Sequence, residues 1–105
     1  MAQFDVYENP SGASKKAYPF ILDIQSDLLE NIATRIVVPL AVYGKFKNEE
    51  MKGLTPKVSF ENEELLILIP QLASMPAKTL KNPVGTLSHF RDEILAALDL
   101  AITGI

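Results

Sequence analysis

At Thr86 the spacing of the apolar residues changes period, and the change divides this chain into two kinds of structure. Downstream, Leu87, Phe90, Ile94, Leu98, Ala101 and Ile105 recur every three or four residues, with Leu95 and Ile102 on a neighbouring stripe. That is the signature of one amphipathic helix, with Leu98 and Ala101 expected on its packed face. Thr86 or Ser88 can cap its start, and Asp92 and Glu93 fall in the early turns that favour negative charge. Gly104 stands where a helix C-terminal glycine belongs.

Upstream, the pattern is that of short strands between turn formers. Gln3–Tyr7 alternates, and Tyr18–Ile24 places Phe20, Leu22 and Ile24 on one face. Between them, Glu8-Asn9-Pro10-Ser11-Gly12-Ala13-Ser14 is too long for a two-residue turn and reads as a mobile hairpin loop. Asp27-Leu28-Leu29-Glu30 resembles a capping box, but the β-branched run Ile36-Val37-Val38 follows closely, so a loop or a single turn fits better than a helix. Ile36–Val42 reads as a buried strand, apolar on both faces for part of its length. Pro39 removes one ladder donor there and points to an edge, a bulge or a strand end. Gly44 to Pro56 reads as a polar loop. Lys57–Phe60 and Leu65–Ile69 read as a hairpin joined by Glu61-Asn62-Glu63-Glu64, with a last short strand at Ala77–Leu80. Lys81 to Gly85 then closes the strand-rich part. Six or seven short strands and one terminal helix give a mainly β class, a small barrel or a pair of packed sheets partly covered by the helix.

The length of 105 residues bounds this to a single domain, residues 1–105, with one core. Apolar residues make up 48 % and charged residues 22 %, an ordinary globular balance. The net charge of −3 offers no general basic field for nucleic acid. Residues 1–60 sum to zero, seven Lys/Arg against seven Asp/Glu, so the excess acid lies entirely in residues 61–105. The apolar runs are too short to cross a membrane, and Met1-Ala2-Gln3-Phe4-Asp5 has no leader-like pattern, so a cytoplasmic protein with no membrane partner is expected. The absence of cysteine excludes disulfides, zinc–thiolate sites and thiol catalysis.

Catalytic patterns are thin. His89 is the only histidine, so a two-histidine metal site cannot form, and it reads as a surface or half-buried residue of the helix's first turn. Ser26 beside Asp27, and Ser88 beside His89, are neighbours in sequence, which is not triad geometry. Glu61, Glu63 and Glu64 read as a solvated hairpin tip. No glycine-rich phosphate loop occurs, and no metal or cofactor is expected. What remains is surface: Leu28 and Leu29 in a polar loop, and Ile102 and Ile105 at the chain end. Each is either buried within the fold or presented to a partner.

Two groups of segments are more specific. Asp23-Ile24-Gln25-Ser26-Asp27-Leu28-Leu29, followed by Arg35-Ile36-Val37-Val38-Pro39-Leu40, resembles the D-V-Q-S-D … R-x-V-I-P-L block of the CcdB family. Leu72-Ala73-Ser74-Met75-Pro76, Leu87-Ser88-His89 and the closing Gly104-Ile105 resemble that family's M-A-S-V-P, L-S-H and terminal G-I. The likeness runs through nearly the whole chain, in order. It implies an SH3-like antiparallel barrel with a small extra sheet and a C-terminal helix, assembled as a homodimer. It also implies a non-enzymatic toxin of a type II toxin–antitoxin system. Such a toxin binds the DNA gyrase A subunit, traps the cleaved-DNA complex and is neutralised by a CcdA-like antitoxin.

Carried onto this chain, the resemblance places the gyrase-facing residues at Gln25, Ser26, Leu28 and Leu29 in a loop, and at Asp99, Thr103, Gly104 and Ile105 at the chain end. Two departures stand out: Thr103 replaces the tryptophan of the best-known family pattern, and Asp99 replaces an amide residue. The missing aromatic removes an arginine-stacking anchor of a kind worth about 0.5–2 kcal/mol. Charge sign alone places an acidic antitoxin tail on the Glu8–Lys16 loop, through Glu8, Lys15 and Lys16, and on the basic stretch of Lys45, Lys47 and Lys52. Fold by itself does not carry function. An endoribonuclease toxin of the same barrel, as in the MazF/Kid type, and a non-toxic homologue kept as an antitoxin partner are the alternatives.

Overall fold

The computed structural model describes residues 2–29 and 31–104. Seven strands lie in them: β1 (Asp5–Glu8), β2 (Phe20–Asp23), β3 (Thr34–Val42), β4 (Lys57–Phe60), β5 (Glu63–Ile67), β6 (Ala73–Pro76) and β7 (Gly85–Thr86). A one-turn helix α1 (Tyr43–Phe46) follows β3, and the helix α2 (Arg91–Thr103) ends the chain. The strands form one antiparallel sheet in the order β4-β5-β3-β2-β1-β7, with β6 also pairing β3. The sheet curls into a half-barrel with the C-terminal helix against it, as the CcdB-like reading expects. The small extra sheet is continuous with the main one, because β3 is long enough to carry β6 along Thr34–Val37 and β5 along Leu40–Val42.

Pro39 sits in the middle of β3, where that partner changes. Its carbonyl accepts from the Leu68 N–H (3.1 Å), so its donorless nitrogen faces the same side, between β5 and β6. The ladder to β2 keeps its register across it, Ile21 opposite Pro39 and Leu22 opposite Val38. The proline therefore marks a change of partner inside a strand, not its end.

Alternation decides the faces. Val6, Leu22, Val38, Leu40, Leu65 and Ile67 point inward and pack with Ile94 and Ala97 of α2, joined by Phe20, Ile24, Leu95 and Leu98. The opposite face carries a smaller cluster of Tyr7, Ile21, Val37 and Leu80. The half-barrel is drawn together by one ring. Phe60, at the end of edge strand β4, packs edge-on to Phe20 (5.1 Å, 80°) and lies over Gly85 of the other edge strand, β7. A Cβ added at Gly85 would lie 2.6 Å from ring carbons of Phe60, so only glycine permits this approach.

Several local expectations shift. The hairpin of β4 and β5 turns on Glu61-Asn62 alone, both at positive φ (53° and 63°), so Glu63 and Glu64 belong to β5. The strand expected at Ala77–Leu80 lies earlier, as β6, and Ala77–Thr79 is a 3₁₀ turn. The supposed loop after Gly44 contains α1 and a 3₁₀ turn at Lys47–Glu49. Gly85, read as the end of the strand-rich part, and Thr86, read as the start of the helical stretch, together form a strand that pairs with β1. Ile36 is exposed rather than buried, and so is Ala101. The loop after β1 is knitted by Asn9, whose Nδ2 donates to Tyr18 O (2.8 Å) and Ser14 Oγ (3.0 Å). The helix itself starts later than its apolar period, at Arg91. Ser88–Phe90 is a 3₁₀ turn, Phe90 stands at the N-cap with no side-chain cap bond, and the expected cap at Thr86 or Ser88 does not form. Thr86 Oγ1 accepts instead from the Ser88 N–H (3.1 Å) in the turn that leaves β7. Gly104 takes φ 76° and donates to Leu100 O (3.0 Å), the left-handed stop its position predicts.

Candidate functional site

The connection from β2 to β3 is where polar bonds and apolar exposure meet. Asp27–Leu29 forms a single 3₁₀ turn, as the short spacing requires. Ser26 holds it from behind: its Oγ accepts from the Leu28 N–H (3.2 Å) and its carbonyl from the Leu29 N–H (3.0 Å). Leu28 is 93 % exposed and Leu29 44 % exposed. Glu30, the last residue of the capping-box reading, lies outside the described residues.

Gln25 is placed beneath this turn and not on its surface, at 4 % exposure. Its Nε2 donates to Leu29 O (2.9 Å) and its Oε1 accepts from the Ile36 N–H (3.1 Å). Below it lies a buried ion pair: Arg35 Nε and Nη2 both reach Asp23 Oδ2 at 2.8 Å. Asp23 Oδ1 accepts from the Gln25 N–H (3.0 Å), and Arg35 Nη2 reaches Gln25 O (3.5 Å). Burial pushes the Asp23 carboxyl above the ordinary carboxylate range, against the opposing pull of the Arg35 hydrogen bond and the Gln25 N–H. Arg35 Nη1 and the Tyr7 hydroxyl are buried without a hydrogen-bond partner among the described residues.

The second set lies at the end of α2. Asp99 and Thr103 are exposed, and Thr103 Oγ1 donates to Asp99 O (2.6 Å), turning its hydroxyl back onto the helix. Gly104 is exposed, whereas Ile105 lies outside the described residues. Ile102, 71 % exposed, forms with Ala101, Met51, Leu54, Pro70 and Leu72 the wall of an open apolar groove of about 290 Å³. Met51, Leu72 and Ile36 are further exposed apolar residues that sequence reasoning missed, because each sits in a stretch that reads as loop or buried strand.

The two segments expected to meet an antitoxin flank the other end of the β2–β3 pair, where residues next to them are in contact. The Val42 N–H donates to Ala17 O (3.0 Å), and the rings of Tyr18 and Phe46 lie 5.1 Å apart. Glu8, Lys15 and Lys16 are exposed on the first segment, with Lys15 Nζ 3.1 Å from Glu8 Oε2; Lys45, Lys47 and Lys52 are exposed on the second. A polar cleft of about 330 Å³ beside the first segment adds Thr79, Lys81 and Asn82, which no local signal had marked. His89 is exposed, its ring 4.4 Å from that of Phe90.

The family model described as CcdB protein matches residues 3–104. The chain belongs to the CcdB family. Family membership points to the toxin of a toxin–antitoxin module, in a family that poisons gyrase and is not a group of catalytic enzymes. It also points in general terms to gyrase and an antitoxin as partners. Among the described residues, no helix is long and apolar enough to cross a membrane.

Proposed function

We propose that this CcdB-family protein is a type II toxin whose homodimer binds the DNA gyrase A subunit, inhibits the enzyme and traps its cleaved-DNA complex. The observation that carries the reading is Leu28, an almost wholly exposed leucine on a hydrogen-bonded turn, within the block that matches the family. Two adjacent exposed leucines on ordered backbone offer a partner apolar surface, and burying one fully contributes about 1.5–3 kcal/mol. Ser26, Leu28 and Leu29 form one half of the contact, with Gln25 supporting them from beneath. Asp99, Thr103, Gly104 and Ile105 form the other, and a two-fold dimer presents both halves twice to a target that is itself two-fold.

Thr103 supplies no ring to stack on an arginine, and its hydroxyl is bonded within the helix. The apolar burden at this end therefore falls on Ile102 and Ile105. The basic end of the β2–β3 pair, with Lys15, Lys16, Lys45, Lys47 and Lys52, receives the acidic tail of a CcdA-like antitoxin. The two partners then engage opposite ends of one strand pair.

The test is purified protein incubated with gyrase and plasmid DNA, scored for trapped double-strand cleavage, beside a variant lacking Ile105. Trapped cleavage that weakens on deletion is the expected result. Cleavage of RNA by the intact protein, with gyrase unaffected, would replace this reading with the ribonuclease one.

A further inference from the structure

We propose that Gln25 is a positioning residue, whose buried carboxamide, between the Asp23–Arg35 pair and the turn, presets the Leu28–Leu29 tip in the shape its partner receives. The inference rests on reading that tip as the gyrase contact. A leucine at 93 % exposure has almost no packing to hold the backbone beneath it, so hydrogen bonds alone define where it points.

Ser26 takes the N–H groups of Leu28 and Leu29, and the Ile32 N–H donates to the Leu29 carbonyl (3.2 Å), but one side chain ties the turn to the sheet. The Gln25 Nε2 holds the carbonyl of Leu29 at the far end of the turn, while its Oε1 holds the N–H of Ile36 on β3. Its own N–H and carbonyl are taken by Asp23 Oδ1 and Arg35 Nη2. A primary carboxamide presents a donor and an acceptor from one planar group; glutamate loses the donor, and methionine in effect loses both. A second strap closes the turn from outside, where the Gln3 N–H donates to Asp27 Oδ1 (2.8 Å) and Gln3 Nε2 to Ile24 O (3.2 Å). The turn is thus fixed at both ends before any partner arrives. A tip ordered in advance spares the association the entropy of ordering it.

The experiment uses the full-length protein, with amide hydrogen exchange read residue by residue and gyrase inhibition measured on the same samples. Gln25→Met is expected to speed exchange at Leu29 and Ile36 by about tenfold or more, with Leu22 and Val38 at the sheet centre unchanged, and to raise the half-inhibitory concentration about tenfold. Asp27→Ala, a surface change, should act in the same direction by a few-fold. Asp27→Asn, which keeps an oxygen acceptor, should restore both readouts. Leu28→Ser should abolish gyrase inhibition while leaving loop exchange as it was. The proposal is overturned if Gln25→Met and Asp27→Ala leave loop exchange unchanged. It is also overturned if they loosen the loop without weakening an inhibition that Leu28→Ser removes. Inhibition untouched by Leu28→Ser, with a loop that Gln25→Met does loosen, overturns the gyrase reading instead and leaves the hydrogen-bonded frame standing.

Discussion

Leu28 stands on a turn pinned from three sides by polar groups, whereas Ile102 stands on the last turn of α2, where packing against the sheet has thinned out. Both residues are exposed, but different forces hold them in place. The turn depends on directional bonds from a buried frame of Asp23, Gln25 and Arg35, each with its partners at 2.8–3.5 Å. The helix end depends on its own ladder, on Ile94 and Ala97 anchored in the core, and on a glycine that ends it. An exposed apolar tip can therefore be fixed by a polar interior as well as by an apolar one. The polar solution is the more brittle, because removing one member leaves another buried and unpaired.

The largest expected effect tests that brittleness. Arg35→Met leaves the Asp23 carboxylate buried without its cation and should destabilise the protein by about 3–5 kcal/mol in urea unfolding. Adding Asp23→Leu to the same chain should regain much of the loss. A loss below about 1 kcal/mol would place the strength of the turn elsewhere. At the helix end the comparable change is milder. A Cβ added at Gly104 meets nothing within 4 Å, so Gly104→Ala costs only the left-handed conformation, about 1–2 kcal/mol in thermal unfolding. Smaller again are Leu28→Ala and Ile102→Ala, each expected within about 0.5 kcal/mol of wild type. Both should nonetheless weaken gyrase inhibition in a supercoiling assay, and equal losses would show that the two surfaces act together.

The smallest effect concerns the far side of the frame. The Tyr7 hydroxyl is buried without a partner among the described residues, so Tyr7→Phe should be neutral or slightly stabilising. Its pKa is raised above the ordinary 10.0, first by burial and then by the charges of Asp5 and Asp23, with Arg35 opposing. The unfolded chain therefore loses this proton before the folded one does. Stability should fall as pH rises past about 10 in the wild type, and Tyr7→Phe should remove that part of the slope in urea titrations at pH 9 to 11.

Much of the fold was legible because its signals are local. The helical period and the stop at Gly104 describe one helix and its own backbone, whereas the start was read too early, because Thr86 is held in β7 by pairing with Asp5. Leu28, Leu29 and Ile102 were legible as apolar residues in places where a core is hard to reach; whether each is covered was open, and the structure leaves all three exposed. The hairpin turn was misread by two residues, because Glu61 is an unusual occupant of a left-handed position and only the pairing of β4 with β5 imposes it. β6 was displaced for a similar reason: Ala73–Pro76 has little strand character of its own and is extended because β3 offers it a free edge.

By itself, the sequence determined the class, the family resemblance, the terminal helix and the apolar residues that are hard to bury. Those follow from periodicity, the C-terminal glycine stop and matched segments, none of which depends on contacts distant in the chain. Only the tertiary structure decided that Gln25 lies under the turn, that Pro39 marks a change of strand partner, and that Phe60 draws the two sheet edges together over Gly85. Each depends on a contact across the sheet or between strands, that of Gln25 being its bond to the Ile36 N–H on β3. A side chain's role there is set by what the folded sheet brings beside it, and the residue's own preferences do not encode that neighbour.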